Sequence, residues 1–325
     1  MKKFVVITSI FEPTEAVVEF SKLQDLSLIV VGDKKSPAGW QNNNTLFLSV
    51  EDQLYMDSEL AKQLPFNHYC RKMVGYLHAA KNGAEIIIDT DDDNIPKENW
   101  NFPDFEGEYD TITADKGFIN IYTYYTKHKI WPRGLPLQLI NRKENTDGVT
   151  VKPQKVGVWQ GLADEDPDVD AIYRLTSDEW VNFEDRNPLV LDERTFTPFN
   201  SQNTAFIKEL FPLLYLPSLV TFRFTDILRG IVAQPVMWSA GYKLGFTNAT
   251  VVQKRNPHDY VKDFISEIPM YLNIEKAAEI AQEVASADNS VQDNLFNIYK
   301  KLETHDIVVA DEIKLVEAWL KDLSN

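Results

Sequence analysis

Short apolar runs alternate with an amphipathic segment in the first third of the chain. Phe4–Ile10 is a largely β-branched run, typical of a strand buried on both faces, and Leu28–Val31, Leu46–Val50 and Ala84–Ile88 repeat the pattern. Phe66–Asn82 carries apolar side chains at helical spacing and stops at an Asn-Gly pair. This rhythm predicts an α/β fold with a parallel, doubly wound part to its sheet.

The pattern changes towards the end of the chain. The middle is rich in turns, with a strand pattern at Val156–Gln160 and a helical pattern at Asp226–Ala240, which Pro235 should kink or interrupt. Apolar residues of the last sixty positions recur at helical spacing. We therefore predict a main domain at 1–265 and a helical C-terminal appendage at 266–325.

The overall charge narrows the classes of ligand. Lys and Arg total 33 and Asp and Glu total 49, so the net charge is −16. Such a chain lacks the basic surface that nucleic acids and anionic membranes require, and a phosphate ligand would need a local positive group. The acidic run 164–170 is expected to be a solvated surface that aids solubility.

Cysteine use and hydropathy exclude further classes. Cys70 is the one cysteine, which excludes an intrachain disulfide and a zinc site built from cysteines of one chain. The apolar run near the N-terminus is short and lacks a small-residue cleavage pattern, and no uncharged apolar run approaches about 18 residues. These features predict a soluble, cytoplasmic protein without a membrane-spanning segment.

A cluster of acids is the strongest chemical signal. Four carboxylates lie within Asp89–Asp93, directly after a strand of the predicted parallel sheet, whose carboxyl-end edge is where ligands bind in such folds. A hard divalent cation, Mn²⁺ or Mg²⁺, would relieve their repulsion. The alternative is a solvated acidic turn. The chain has no P-loop and no G-x-G-x-x-G after its first strand, and the cluster lacks the glycine and glutamate of an EF-hand.

Several motifs together resemble a known family. The helix at 67–80, followed by Gly83 and Ile86–Asp93, resembles the nucleotide-sugar half of a GT-A glycosyltransferase with its D-x-D motif. The chain resembles more closely the STELLO-like glycosyltransferases, and more distantly the plant reversibly glycosylated polypeptides. The further segments that carry this resemblance are Trp131–Leu137, Gly157–Gly161, Pro198–Thr204, Thr221–Arg223, Asp226–Gly230 and Gln253–Tyr260.

The resemblance implies both a fold and an activity. The fold would be a GT-A-type, Rossmann-like mixed sheet flanked by helices, with a nucleotide-sugar-binding half at 1–130 and an acceptor-side half at 131–265. The activity would be metal-dependent transfer of a sugar from a nucleotide-diphosphate sugar, expected to be UDP-linked, to a glycan or other hydroxyl acceptor. A sugar-nucleotide mutase and a non-catalytic scaffold remain open alternatives.

The resemblance also implies roles for the donor-side residues. Asp93 would contact the cation directly, with Asp91 facing the ribose and the metal, Asp92 beside them, and His258 as a late additional metal ligand. Three strand-end residues, Thr8, Ser9 and Asp33, would hold the nucleobase and ribose, although Asp33 also suits a simple turn. The cations expected at the diphosphate are Arg71, Arg229, Lys254 and Arg255.

The acceptor side is the less specific part of the prediction. Asp226 corresponds to the acid that serves as base in inverting GT-A enzymes, although it could equally be a helix N-cap. Arg133 sits in a stiff turn between two prolines and could bind phosphate or acceptor. The amides of Asn200, Gln202 and Asn203 suit sugar hydroxyl groups.

Overall fold

A large mixed sheet forms the centre of the molecule. The computed structural model describes residues 1–113, 117–144, 146, 148–177, 179–255 and 258–324. Within these residues the strands are β1 (Lys3–Thr8), β2 (Leu26–Val31), β3 (Thr45–Leu48), β4 (Ile86–Thr90), β5 (Asn94–Pro96), β6 (Glu106–Ile112), β7 (Gly117–Phe118), β8 (Val149–Asp164), β9 (Leu189–Leu191), β10 (Thr195–Phe196), β11 (Asn203–Ile207) and β12 (Lys243–Gln253).

Helices flank this sheet. They are α1 (Glu15–Phe20), α2 (Val50–Tyr55), α3 (Glu59–Gln63), α4 (Lys72–Lys81), α5 (Ala171–Thr176), α6 (Thr225–Ser239), α7 (Tyr260–Val284), α8 (Val291–Glu303) and α9 (Ala310–Ser324), with short 3-10 turns between some of them. The predicted fold class is confirmed: it is a mixed sheet with helices packed on it, consistent with a GT-A-like fold.

The strand order divides the sheet into a parallel and a mixed part. The order is β3-β2-β1-β4-β11-β8-β6-β9-β12-β5, with β8 also paired to β12. The first four strands are parallel, as the sequence predicts, and β11 pairs antiparallel with β4. The carboxyl ends of β1, β2 and β4 therefore meet at one edge.

Two helices differ from their predicted extents. The helix predicted at 66–82 consists of a 3-10 turn, Tyr69–Arg71, followed by α4. Pro235 does not interrupt α6, which continues to Ser239. Because all of α6 from Thr225 to Met237 is buried, side-chain packing compensates for the hydrogen bond that Pro235 cannot donate.

The C-terminal helices share the core of the main sheet. Buried side chains of α7, α8 and α9 belong to the same apolar cluster as those of α4 and α6. The predicted helices are thus present, and α7 crosses the proposed division at residue 265. The division into two domains stays a prediction. No described helix has the length and apolarity needed to cross a membrane.

A carboxylate of α9 caps a helix that is distant in sequence. Asp322 accepts hydrogen bonds from Ser58 Oγ at 2.7 Å, Leu60 N at 2.9 Å and Glu59 N at 3.2 Å, at the start of α3. Asp322→Ala should lower the free energy of unfolding by about 1–2 kcal/mol, because buried donors lose their acceptor. Urea denaturation measures this. Asp311→Ala, at an exposed surface ion pair, should change it by less than about 0.5 kcal/mol, and equal effects would contradict the capping role.

The acidic run 164–170 is not a solvated surface, so that prediction is wrong. Asp164, Asp166, Asp168 and Asp170 are all buried. Each has a partner that the tertiary fold brings to it. Lys97 pairs with Asp164, Arg174 with Asp166 and Arg133 with Asp168. Asp170 accepts a hydrogen bond from Trp131 Nε1 and caps α5.

Candidate functional site

A cleft opens at the shared edge of β1, β2 and β4. It encloses about 1290 Å³, counting the part open to solvent. Most of the residues singled out from the sequence line it: Thr8, Ser9, Asp33, Arg71, Asp91, Asp92, Asp93, Arg133, Asn200, Gln202, Asp226, Arg255 and His258. Residues as far apart in sequence as Thr8 and His258 therefore meet in one cleft.

The strand-end residues are held by local hydrogen bonds. Ser9 Oγ donates to Asp92 Oδ2 at 2.5 Å, which ties the end of β1 to the acidic motif. Asp33 accepts from the backbone N–H groups of Lys34 at 2.7 Å and His68 at 3.3 Å. The turn role considered for Asp33 is therefore present, and its side chain also lines the cleft.

A buried lysine neutralises part of the acidic motif, and the sequence prediction missed it. Lys72 Nζ lies 2.9 Å from Asp89 Oδ1, 2.7 Å from Asp91 Oδ1 and 2.8 Å from the carbonyl of Thr90. These three acceptors use all three donors of the ammonium group. The available signal was a second cation beside Arg71, at the start of the helix that precedes the motif.

The acidic motif carries more negative charge than its ion-pair partners neutralise. Burial raises the pKa of Asp91 to about 6, and the charges of Asp93 and Asp89 add to this, while Lys72 opposes it. Burial also raises the pKa of Asp92 and Asp93. Among the described residues, the four acids of Asp89–Asp93 form ion pairs only with Lys72 and Arg229. Four carboxylates and two cations leave a net charge of −2, which one divalent cation would balance.

The residues fit a cation held jointly with a ligand. No three His, Cys, Asp or Glu side chains within the described ranges converge on a point that could hold a metal. His258 Nδ1 instead lies 2.9 Å from Asp263 Oδ2. Mg²⁺-type ions are usually bound by one or two carboxylates together with substrate phosphates, and Asp91 and Asp93 suit that mode.

Arg71, which is expected at the diphosphate, makes no ion pair with the acidic motif and is bonded to the segment before α4. Its Nε donates to Gln53 Oε1 at 2.7 Å, and its NH1 donates to the carbonyl oxygens of Ala61 and Leu64. The guanidinium also stacks on Phe66. These contacts fasten the segment before α4, and Lys72, one residue later, makes the ion pairs instead.

Three other predicted residues lie outside the cleft lining. Arg229 is buried and bonds Asp89 Oδ2 at 2.6 Å and the carbonyl of Asn200 at 2.7 Å, so it supports the cleft from beneath. Lys254 points to the surface and pairs with Glu15. Asn203 donates to Thr250 Oγ1 at 2.8 Å within the sheet. Asn256 and Pro257, part of one recognised motif, lie outside the described residues.

Arg133 joins two carboxylates on the opposite wall of the cleft. Its Nε and NH2 donate to Asp168 at 2.9 and 2.7 Å, and its NH1 and NH2 donate to Asp226 at 3.0 and 2.9 Å. The remaining NH1 hydrogen bonds to the carbonyl of Arg223. All five donors of the Arg133 guanidinium are therefore used, and none is free for a phosphate or an acceptor.

Charge and hydrogen bonds from several elements hold the two carboxylates in place. Burial opposes the charge of Asp168, but Arg133 and Arg223 lower the pKa of Asp168 to about 2. Asp226 also accepts from Ser201 N and Tyr69 O–H, each at 3.3 Å, so each of its oxygens accepts two hydrogen bonds. Asp168 was missed because its run looked like a solvated surface.

The predicted acceptor amides are partly used within the protein. Asn200 Nδ2 donates to Asp168 Oδ2 at 2.8 Å, and its Oδ1 accepts from Gln202 N. Gln202 Nε2 bonds Gln253 Oε1, and Gln253 Nε2 reaches Asp93 Oδ2 at 3.3 Å. A polar chain therefore links the acceptor-side amides to the acidic motif across the floor of the cleft.

Known proteins match this chain in sequence. Residues 223–325 match the family model of the STELLO glycosyltransferases. Two Arabidopsis thaliana proteins, each named a probable glycosyltransferase, align over 99% of the chain: STELLO1 with 25% identity and STELLO2 with 26%. The alignment covers 44% of each relative, so the chain spans about half the length of the curated relatives it matches.

A structural comparison gives a weaker likeness. A crystal structure of a mycobacterial protein aligns with 86% of this chain and 74% of its own, at a TM-score of 0.40 and 11% identity. The chain is thus similar over nearly its whole length to the STELLO glycosyltransferases, and the resemblance predicted from its motifs is confirmed.

Proposed function

We propose that this chain is a metal-dependent glycosyltransferase that uses a nucleotide-diphosphate sugar, UDP-linked, and a hydroxyl group of a glycan or similar acceptor. The observation that carries the proposal is the acidic motif in the cleft, where Lys72 is the one ion-pair partner of the half-buried carboxylates of Asp91–Asp93 within the described residues. A solvated turn would not need to place three carboxylates in a cleft, and a scaffold without a ligand would gain nothing from their repulsion. A divalent cation with a diphosphate would satisfy them.

The donor would lie along the parallel edge of the sheet. Thr8, Ser9 and Asp33 end the first two strands beside the acidic motif and offer polar groups to a ribose and base. The cation, Mn²⁺ or Mg²⁺, would be held by Asp91 and Asp93 and would supply charge stabilisation of the leaving diphosphate. Lys72 fixes one oxygen of Asp91, which orients the other oxygen.

The acceptor would lie at the opposite wall, where Asp226 and Asp168 face the cleft. Transfer requires removal of a proton from the acceptor hydroxyl. The carboxylate of Asp226 accepts four hydrogen bonds, and the one from the Tyr69 O–H is among the two longest. An acceptor hydroxyl that replaced the Tyr69 O–H could donate its proton to Asp226. Arg133 meanwhile keeps the carboxylate of Asp226 in place.

A panel of nucleotide-diphosphate sugars tests this proposal. One UDP-sugar should raise the melting temperature in the presence of Mn²⁺ and not in EDTA, because a ligand of the native state at 100 times its Kd adds about 2.7 kcal/mol of stability. Thermal denaturation with and without the metal measures the effect. If no nucleotide-sugar binds with Mn²⁺, the proposal fails. Conversion of the donor without any acceptor would indicate a mutase instead.

A further inference from the structure

Arg255 is a buried arginine without adequate partners. Its side chain is only 8% exposed and lines the cleft, and its Nε has no hydrogen-bond partner. Within the part of the chain that the structure describes, its one ion pair is a long contact of 3.9 Å between NH1 and Asp166 Oδ1. A buried guanidinium that makes no short hydrogen bond is costly, so an acceptor group is missing here.

Two other arginines that line the cleft, Arg133 and Arg223, make short hydrogen bonds to protein oxygens. Arg133 uses all five donors on protein oxygens. Arg223 donates through Nε to Glu267 Oε1 at 3.0 Å and through NH2 to the carbonyl of Val169. Protein oxygens thus satisfy Arg133 fully and bind Arg223 at two of its nitrogens, whereas Arg255 has only its 3.9 Å contact with Asp166.

The electrostatic surroundings of Arg255 also favour an anion. Asp166, its one carboxylate partner, is already paired with Arg174. Burial lowers the pKa of Arg255, and the charges of Arg223 and Arg174 lower it further, against the weaker pull of Asp166 and Asp168. A negative group bound at Arg255 would relieve this repulsion and accept its hydrogen bonds.

The charged neighbours place this position beside the acceptor wall. Asp166, Asp168, Arg174 and Arg223 belong to the acceptor-side half, and Phe222 and Arg223 also line the cleft. Lys254, the residue before Arg255, donates its backbone N–H to the carbonyl of Asp93 at 2.9 Å, so Arg255 borders the acidic motif.

We propose that Arg255 forms an anion-binding subsite that takes a carboxylate or phosphate group of the acceptor. The acceptor class is therefore an acidic or phosphorylated glycan, because a neutral sugar offers no charge to a buried guanidinium. The subsite follows from contacts within this chain, whereas its assignment to the acceptor rests on the proposed function.

The test uses the full chain and simple probes. Calorimetric titration at constant ionic strength should detect binding of inorganic phosphate and of glucuronate. It should detect no binding of glucose, which is neutral. Arg255→Gln should lower the affinity for both anions at least about tenfold, because a charge-assisted hydrogen bond is lost. Arg194→Gln, which removes an exposed arginine outside the cleft, should leave the affinity unchanged. Without anions, the melting temperature of Arg255→Gln should not fall below that of the parent chain, because the substitution removes only one long ion-pair contact.

Repeating the titration with saturating uridine diphosphate and Mn²⁺ identifies the source of the anion. Unchanged anion affinity supports the acceptor, whereas competition assigns Arg255 to the leaving diphosphate and overturns the proposal. Anion binding that is absent, or that Arg255→Gln leaves unchanged, overturns the subsite itself. If no nucleotide binds but the anions still do, the proposed function fails with the acceptor assignment, and the subsite stands.

Discussion

Arg133→Met should lower the free energy of unfolding by about 3–5 kcal/mol, the cost of leaving buried charges without their partner. Arg133 is the cation between Asp168 and Asp226, and all three side chains are nearly inaccessible to solvent. Without it, Arg223 remains 3.9 Å from Asp168, which is too far for a hydrogen bond. Urea denaturation monitored by circular dichroism measures the loss.

Two further variants separate charge from packing. Arg194→Met removes an exposed arginine and should change the unfolding free energy by less than about 0.5 kcal/mol. Adding Asp168→Asn and Asp226→Asn to Arg133→Met should restore part of the stability, because the repulsion between the two acids disappears. A triple variant that is less stable than Arg133→Met alone would show that Arg133 acts through packing rather than charge.

Asp93→Asn should lower the Mn²⁺-dependent affinity for the nucleotide-sugar at least tenfold. Asp93 lines the cleft, and within the described residues it forms no ion pair, so a cation would be its main counter-charge. The amide of asparagine keeps the size of the side chain and one oxygen but removes the charge that a hard cation prefers. Calorimetric titration with and without Mn²⁺ gives both affinities.

The matched control is Asp185→Asn, which makes the same change of net charge at an exposed position outside the cleft. It should leave the metal-dependent affinity unchanged. If Asp93→Asn binds the donor as tightly as the parent chain, and still only with Mn²⁺, Asp93 is not a metal ligand and the proposed site must be redrawn around Asp91.

The edge of the sheet that carries the acidic motif could be predicted from the sequence because its signals are local. The apolar runs of β1, β2 and β4 reveal parallel strands, and the carboxyl ends of such strands meet at one edge whatever the loops do. Asp89–Asp93 follows β4 directly, so its place in the cleft follows from the strand that carries it.

The roles of individual cations were harder to predict because they depend on direction rather than position. Arg71 and Lys72 are neighbours, yet one turns to Gln53 and the other to Asp89. A one-residue step rotates a side chain by about 100° on a helix, so only packing decides which of them meets the acids. Arg229 is expected at the diphosphate, but its side chain is buried and donates to Asp89.

The sequence alone determined the α/β class, the parallel strands and the edge where the acidic motif lies, because hydrophobic periodicity and strand direction are properties of short segments. The tertiary structure decided which charges are paired. Asp168 and Asp170 read as surface acids until the fold buried them against Arg133 and Trp131. Pairing of this kind depends on contacts between residues far apart in the chain, and only the folded molecule leaves Arg255 in the cleft with a single long contact to Asp166.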